Sequence, residues 1–81
     1  MEKSIYSREY AALLRLLRAA RDKAGMTQVE LAEKLGLTQS FVSKIERGDR
    51  RLDFVQLRTV CKALGLPLLE FIEQLESELD Q

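Results

Sequence analysis

The chain of 81 residues contains no histidine, no tryptophan and only one cysteine. A lone cysteine excludes an intramolecular disulfide, and without histidine there is almost nothing from which to build a zinc site. No nucleophile elbow, phosphate loop or pair of carboxylates on a shared helix face indicates catalysis. We therefore expect a protein that is not an enzyme and that carries no cofactor or metal.

Long hydrophobic runs are also missing. Hydrophobic residues make up 46% of the chain, but no run approaches the roughly 18 residues that a membrane-spanning helix needs. No signal-peptide pattern opens the sequence. We expect a cytoplasmic protein with no membrane contact, folded as one domain over residues 1–81 around a single modest core.

The chain also has no net charge, because 13 basic residues balance 13 acidic ones. This balance at first argues against a nucleic-acid binder. The charges are divided unevenly, however: residues 1–51 hold eleven basic and seven acidic side chains, and residues 52–81 hold two basic and six acidic. Arg47, Arg50 and Arg51 lie in the basic part, where they can contact a phosphate backbone.

Residues 27–48 have the spacing of two short helices joined by a glycine turn. Thr27 can cap the first helix while Glu30 completes a capping box. Ala32 is small enough for a second helix to cross closely, and Gly36 can adopt the positive φ that ends a helix. Leu37 is expected to pack inward as the chain turns. Proteins use this arrangement to place a helix in the major groove of DNA.

The second helix of the pair, which Thr38 can cap, has two distinct faces. Phe41, Val42 and Ile45 form an apolar face directed toward the core, although the role of Phe41 stays open because it could instead touch a thymine methyl. The opposite face carries groups that can bond to base edges or phosphates, and it has no carboxylate. Its members are Gln39, Ser40, Ser43, Lys44 and Arg47. An ordinary solvated face is the alternative reading of this pattern.

Several short motifs carry a resemblance to a known family. They are Gly25-Met26-Thr27-Gln28, Leu31-Ala32, Leu35-Gly36, Gln39-Ser40, Val42-Ser43-Lys44-Ile45-Glu46-Arg47-Gly48 and Ala63-Leu64-Gly65. Together they resemble the Cro/phage-repressor, or XRE-type, helix-turn-helix regulators from about residue 18 to residue 69. The resemblance implies an all-α fold, a compact five-helix bundle in which helices 2 and 3 form the helix-turn-helix. It also implies a prokaryotic or phage-encoded, nucleoid-associated protein whose partner is double-stranded DNA.

Periodicity and capping signals place the five helices at about residues 7–24, 28–35, 39–47, 54–64 and 67–79. Ser7 and Asp53 are further N-caps, and Pro67 suits the first turn of the last helix. The first helix has an apolar face of Tyr6, Tyr10, Leu13, Leu17, Ala20 and Ala24. The fourth has an apolar face of Phe54, Leu57, Val60, Cys61 and Leu64, at whose centre we expect the Cys61 thiol to be buried and inert rather than a redox sensor.

The candidate DNA contacts can be sorted by chemistry. The Gln39 side-chain amide can accept from adenine N6 and donate to adenine N7, and Lys44 can donate to guanine O6 and N7. Ser40 and Ser43 are short and would contact bases or phosphates at close approach. Arg47, Arg50 and Arg51 are candidate phosphate contacts. The family resemblance adds two more, the Gln28 side chain and the backbone amide of Thr27, near a helix N-terminus where the dipole favours a phosphate.

Two charged residues lie at the edges of apolar helix faces. Arg21 is beside the apolar face of the first helix, and Glu46 is beside Val42 on the third. Because partly buried charges are costly unless they are paired, we hypothesise an ion pair that ties the first helix to the third. The family resemblance supports this pairing. The alternative is two separately solvated charges.

The last helix carries more apolar residues than a small core needs. Its leucines and isoleucine recur at alternating spacings of four and three, and Leu69 lies beside them. We expect residues 67–81 to form a dimerisation segment with an interface of Leu68, Phe71, Ile72, Leu75 and Leu79. The alternative is that Leu68, Leu69 and Ile72 complete the core while the end frays. From Glu70 onward there are five acids and no base, so this helix should face away from DNA.

These features predict a sequence-specific DNA-binding transcriptional regulator, a homodimeric repressor that reads a palindromic operator through the major groove. A controller of a restriction-modification operon is a subtype of this prediction. The alternative is a protein-interaction module on the same fold, either the antidote of a toxin pair or an adaptor, that uses the last helix to hold a partner. No small-molecule ligand is indicated.

Overall fold

The computed structural model describes residues 7–81, which form five α-helices and no strand. The predicted all-α bundle is therefore confirmed. The helices are α1 (Arg8–Lys23), α2 (Gln28–Leu35), α3 (Gln39–Arg47), α4 (Phe54–Ala63) and α5 (Leu68–Leu79). Tyr6, which we placed on the apolar face of the first helix, lies outside the described residues.

Four of the helices begin at a side-chain cap. Ser7, Thr27, Thr38 and Asp53 each accept a hydrogen bond from the backbone N–H three residues on, at 3.1, 3.1, 3.1 and 2.7 Å. The Thr27 capping box is confirmed, because the Glu30 carboxylate accepts from the Thr27 N–H at 2.8 Å. Gln56 completes a second box with Asp53. The sequence signal for this second box is the polar side chain of Gln56, three residues after Asp53.

The core draws buried side chains from all five helices. Val42, Cys61 and Phe71 are the most completely enclosed, and Ala32 lets α2 approach its neighbours closely with only 2% of its surface exposed. Burial raises the pKa of the Cys61 thiol to about 11. The thiol is thus protonated at neutral pH, as expected for a buried and unreactive cysteine. The other core members are Leu17, Leu31, Leu57, Val60 and Leu64.

Three residues expected on inward faces are exposed. Leu37 has 42% of its surface exposed, because it follows Gly36, whose φ of 70° turns the chain outward at the end of α2. Phe54 is 64% exposed, since it is the first residue of α4 and precedes the turns that cover the core. Ala24 is exposed as well, because α1 ends at Lys23 and Ala24 lies beyond its last turn.

The last helix packs on α1 and α4 and gives one large side chain to the core. That side chain is Phe71, which has 0% exposed surface. Its predicted place in a dimer interface is therefore wrong, because a fully enclosed ring has no surface left for a partner. The remaining candidates, Leu68, Ile72, Leu75 and Leu79, are partly buried, whereas Leu69 is 77% exposed. Across residues 7–81 no helix combines the length and the hydropathy that crossing a membrane requires.

Candidate nucleic-acid interface

The helix α3 presents one polar face to solvent and one apolar face to the core. Val42 and Ile45 are 1% and 4% exposed, respectively, which fixes the rotation of the helix about its axis. The face opposite them carries exposed Gln39, Ser40, Lys44 and Arg47, with Ser43 partly buried. These are the residues predicted to contact DNA, and the structure brings them together on one surface. Their contact with bases and phosphates stays a prediction.

A buried ion pair joins α1 to α3 beneath this surface. Arg21 donates from Nε to Glu46 Oε2 at 2.6 Å and from Nη2 to Glu46 Oε1 at 3.1 Å. Each side chain has 9% of its surface exposed. Arg21 Nη1 also donates to the backbone carbonyl of Met26 at 2.9 Å, in the connection between α1 and α2. The pair hypothesised from the helix faces is thus present, and it also holds the entry to the helix-turn-helix.

Two glutamine side chains extend this contact to the start of α3. Gln28 Nε2 donates to Glu46 Oε1 at 2.8 Å, and Gln39 Nε2 donates to Gln28 Oε1 at 2.6 Å. The result is a continuous chain of polar contacts, which we call the Arg21–Gln39 network, through Arg21, Glu46, Gln28 and Gln39. We did not predict the link between the two amides from the sequence. The available signal was that both glutamines occupy the first position of a capped helix within the same helix-turn-helix.

The charges of the ion pair are mutually stabilised. Burial by itself would raise the pKa of Glu46, but hydrogen bonds from Arg21 and Gln28 and the nearby positive charges of Arg21 and Arg18 outweigh it, so this pKa is lowered. The hydrogen bond to Glu46 raises the pKa of Arg21 against the opposing effect of burial. Both groups therefore stay charged near neutral pH, and the pair holds α3 in place there.

The three arginines at the C-terminal end of α3 and in the loop after it are each held by a neighbour. Arg47 donates from Nε to Asp49 Oδ2 and from Nη1 to Ser43 Oγ, both at 2.9 Å. Arg50 Cζ lies 4.8 Å from the centroid of the Phe41 ring. Arg51 similarly lies over an aromatic ring, that of Tyr10 in α1. Residues 47–51 thus hold three arginines and one acid, Asp49, whose charge offsets that of Arg47.

The sequence leaves two positions open for Phe41, in the core or against a thymine methyl. Its side chain is only partly buried, because it lies at the edge of the apolar face of α3 and the Arg50 guanidinium covers its ring. Among residues 7–81 there is no group of three or more acidic or cysteine side chains that could hold a metal ion. The polar face itself carries amide, hydroxyl, ammonium and guanidinium groups, which are of the kinds that bind phosphates and base edges.

Known proteins with similar sequences carry helix-turn-helix or control functions in their names. The helix-turn-helix family model matches residues 17–71. The chain is 45% identical over 53 residues to the HTH-type transcriptional regulator y4dL of Sinorhizobium fredii, a match that covers 65% of this chain but only 27% of y4dL. It is 28% identical over 64 residues to the control protein C.MunI of a Mycoplasma species, which covers 79% of this chain and 86% of C.MunI.

Solved structures are similar along most of the chain. An XRE-family like protein from Pseudomonas syringae pv. tomato has a TM-score of 0.85 and 44% identity, covering 93% of this chain and 92% of that protein. The restriction-modification controller protein C.Esp1396I, solved as a tetramer with its natural operator of 35 base pairs, has a TM-score of 0.82 and 31% identity. That similarity covers 93% of this chain and 99% of the controller.

The stability of the helix bundle should depend on the Arg21–Glu46 pair as a unit. Arg21→Ala and Glu46→Ala should each lower the free energy of unfolding by about 3 to 5 kcal/mol, because each leaves a buried charge without its partner. The double variant should lose clearly less than the sum of the two. A double-mutant cycle from urea unfolding measures this coupling, and additive losses would mean that the two charges act independently.

Acid should weaken the fold through Glu46. The pKa of Glu46 is lower in the folded than in the unfolded chain, so its contribution is complete above the usual glutamate pKa of about 4.3 and is lost as the pH falls through the folded value. Glu46→Gln should therefore be less stable at pH 7 and lose less further stability on acidification. Urea unfolding from pH 7 to pH 3 measures both effects.

The matched control for this titration is Glu33→Gln, which changes an exposed carboxylate on α2. Its stability should follow that of the unsubstituted protein at each pH. If the stability of Glu46→Gln also equalled that of the unsubstituted protein at each pH, the Glu46 carboxylate would not be a source of acid sensitivity.

Proposed function

The chain belongs to the helix-turn-helix family of XRE-type transcriptional regulators, and on this premise we propose that it is a homodimeric repressor. In this proposal it binds a palindromic operator in the cytoplasm and has no enzymatic activity. The observation that carries the proposal is the exposed polar face of α3, held by the Arg21–Gln39 network, whose Arg21–Glu46 end is buried. A face that is fixed before binding loses less conformational entropy on contact with DNA.

Base recognition is assigned to four residues of that face. Gln39 and Lys44 carry the amide and ammonium groups suited to adenine and guanine edges in the major groove. Ser40 and Ser43 have short side chains and act where the helix comes closest to the duplex. Because Gln39 also donates to Gln28, its amide is already oriented when it meets a base. Gln39 is therefore the position where we expect the strongest base preference.

Phosphate contacts are assigned to the two edges of the polar face. Arg47 at the end of α3, together with Arg50 and Arg51 in the loop after it, forms one edge, while Gln28 lies at the N-terminus of α2, where the helix dipole favours an anion. The backbone N–H of Thr27, the other contact expected there, already donates to Glu30 in the capping box, so we do not assign a phosphate to it. Each phosphate that a cation neutralises releases counterions, so the affinity should fall steeply with salt. The zero net charge of the whole chain is compatible with this role because residues 1–51 carry eleven basic and seven acidic side chains, whereas α5 carries four acids and no base.

The proposed dimer uses α5. Ile72, Leu75 and Leu79 are only partly covered within one chain, Leu68 is beside them, and Leu69 is almost uncovered. One reading helix makes few base contacts, whereas two helices related by two-fold symmetry would contact half-sites roughly 34 to 36 Å apart. C.Esp1396I was solved as a tetramer with operator DNA. The similarity to this controller and to C.MunI supports control of a restriction-modification operon as a subtype of the proposed function.

A second candidate function rests on exposed apolar side chains away from α3. Val55 and Leu69 are 70% and 77% exposed, on α4 and α5, which pack against each other. In this alternative these exposed side chains and the acidic end of α5 contact a different protein, as an antidote binds a toxin or an adaptor binds its target. The first candidate function predicts that the isolated chain binds DNA selectively, and the second predicts that it does not.

Selection of bound sequences from a random duplex pool tests the proposal. We expect an enriched inverted repeat, with half-sites spaced by one helical turn, because two reading helices would bind together. Gln39→Ala should relax the preference at one position of each half-site by about 1 to 3 kcal/mol. Thr59→Ala, an exposed substitution on α4 that lies outside both the polar face and α5, is the matched control and should select the same repeat.

The outcomes separate the candidates. Enrichment of a single half-site, with a monomeric mass in sedimentation at high concentration, would retain DNA recognition and contradict the dimer. No enrichment even at low salt would contradict DNA recognition and favour the interaction module.

A further inference from the structure

A single acid lies among the arginines at the end of the polar face. It is Asp49, whose side chain is 47% exposed. An acid is unfavourable here for two reasons. Asp49 follows the C-terminus of α3, where the negative end of the helix dipole favours a cation, and it lies beside a surface proposed to bind phosphates. A residue that conflicts with its surroundings in both ways is expected to serve function rather than stability.

The Asp49 carboxylate is bonded to an arginine of the polar face. Arg47 Nε donates to Asp49 Oδ2 at 2.9 Å, and Arg47 Nη1 donates to Ser43 Oγ, also at 2.9 Å. The acid is itself fixed by the backbone, because the Asp49 N–H donates to the Lys44 carbonyl at 2.9 Å and Gly48 turns the chain with a φ of 84°. The Arg47 guanidinium is therefore held from two sides, by the polar face and by the loop.

The held guanidinium still has donors for a phosphate. A guanidinium carries five N–H groups in one plane, and within residues 7–81 the Nη2 group of Arg47 makes no hydrogen bond. The contacts with Asp49 and Ser43 fix the direction in which these N–H groups point. A phosphate in that direction can be bound without further ordering of Arg47. A phosphate elsewhere can be reached only if the contact with Asp49 breaks.

Specific and non-specific complexes place different demands on such a side chain. In an operator complex the base contacts of α3 select one register, so the same phosphate meets Arg47 each time. On unrelated DNA no register is selected, and an unrestrained arginine gains affinity by reaching whichever phosphate is nearest. A carboxylate bonded to Arg47 reduces this gain, because it offsets the positive charge and limits the reach of the side chain.

We propose that Asp49 is a specificity-determining residue, which holds Arg47 for one phosphate of the operator and lowers the affinity for unrelated DNA. This inference rests on the proposed DNA-binding function and deepens it with a residue that contacts neither base nor phosphate. Asp49 acts through Arg47 and is therefore a positioning residue. It weakens the electrostatic attraction to every duplex, and it increases the ratio of the affinity for operator to the affinity for unrelated DNA.

The test compares affinity for the selected operator with affinity for an unrelated duplex at one salt concentration. Asp49→Asn should bind the unrelated duplex about three- to fivefold more tightly, the upper part of the range that an exposed ion pair contributes, and should change operator affinity by less than about 1.5-fold. The ratio of the two affinities should therefore fall at least about twofold. In an Arg47→Ala background, Asp49→Asn should leave the ratio unchanged, because the side chain that it holds is gone.

Two further variants provide a control and a second measurement. Glu33→Gln removes the charge of an exposed acid on α2, and it should leave the ratio of affinities unchanged. Arg47→Lys keeps the net charge but replaces the planar guanidinium with an ammonium on a flexible stem, which cannot be held in the same geometry. It should also lower the ratio.

Urea unfolding separates this role from a structural one. Asp49→Asn should be no less stable than the unsubstituted protein, because it removes an acid from the negative end of a helix dipole. A variant that lost stability together with the ratio would make Asp49 a structural residue and would contradict the positioning role.

The remaining outcomes distinguish this role from the proposed function. If Asp49→Asn changes both affinities by the same factor, changes neither, or lowers the ratio equally without Arg47, the positioning role is wrong and the proposed function stands. If the unsubstituted protein prefers no duplex even at low salt, the proposed function fails and the positioning role fails with it.

Discussion

The buried contact between Arg21 and Glu46 is the constraint on which the rest of the structure depends. Removing two charges from water is costly, and the cost is offset only when their hydrogen-bonding groups are satisfied in good geometry. Here the carboxylate accepts from Arg21 and Gln28, and the guanidinium also donates to the Met26 carbonyl. A rotation or shift of α3 would break these contacts together. The orientation of α3 relative to α1 and α2 is therefore tightly specified.

This constraint explains how a small bundle can present a defined polar surface. Apolar packing of Val42 and Ile45 sets which side of α3 faces inward, but apolar contacts are tolerant of small shifts. Directional hydrogen bonds do not tolerate such shifts. The Gln28–Gln39 hydrogen bond also fixes the side chain of the first residue of α3. We infer that the Arg21–Gln39 network contributes to recognition by fixing geometry more than by adding stability.

The sequence predicts those features that depend on residues a few positions apart. The caps at Thr27 and Thr38 follow from hydroxyls placed three residues before a free N–H, and the Arg21–Glu46 pair follows from two charges at the edges of apolar faces. Contacts between distant segments, such as the hydrogen bond from the Leu52 backbone N–H to the Tyr10 hydroxyl, depend on how the helices pack and leave no local signal. Phe71 shows a related limit, because α5 is apolar on more than one side and its sequence does not indicate which side faces the core.

The most direct test of this account replaces the buried pair with apolar side chains of similar size, Arg21→Met together with Glu46→Leu. Such a replacement removes both charges at once and typically leaves a fold as stable or more stable. The measurement is the ratio of affinities for the selected operator and for unrelated duplex at one salt concentration. We expect a folded bundle whose ratio falls at least about tenfold, about 1.4 kcal/mol. A folded variant with an unchanged ratio would contradict the claim that the ion pair orients α3.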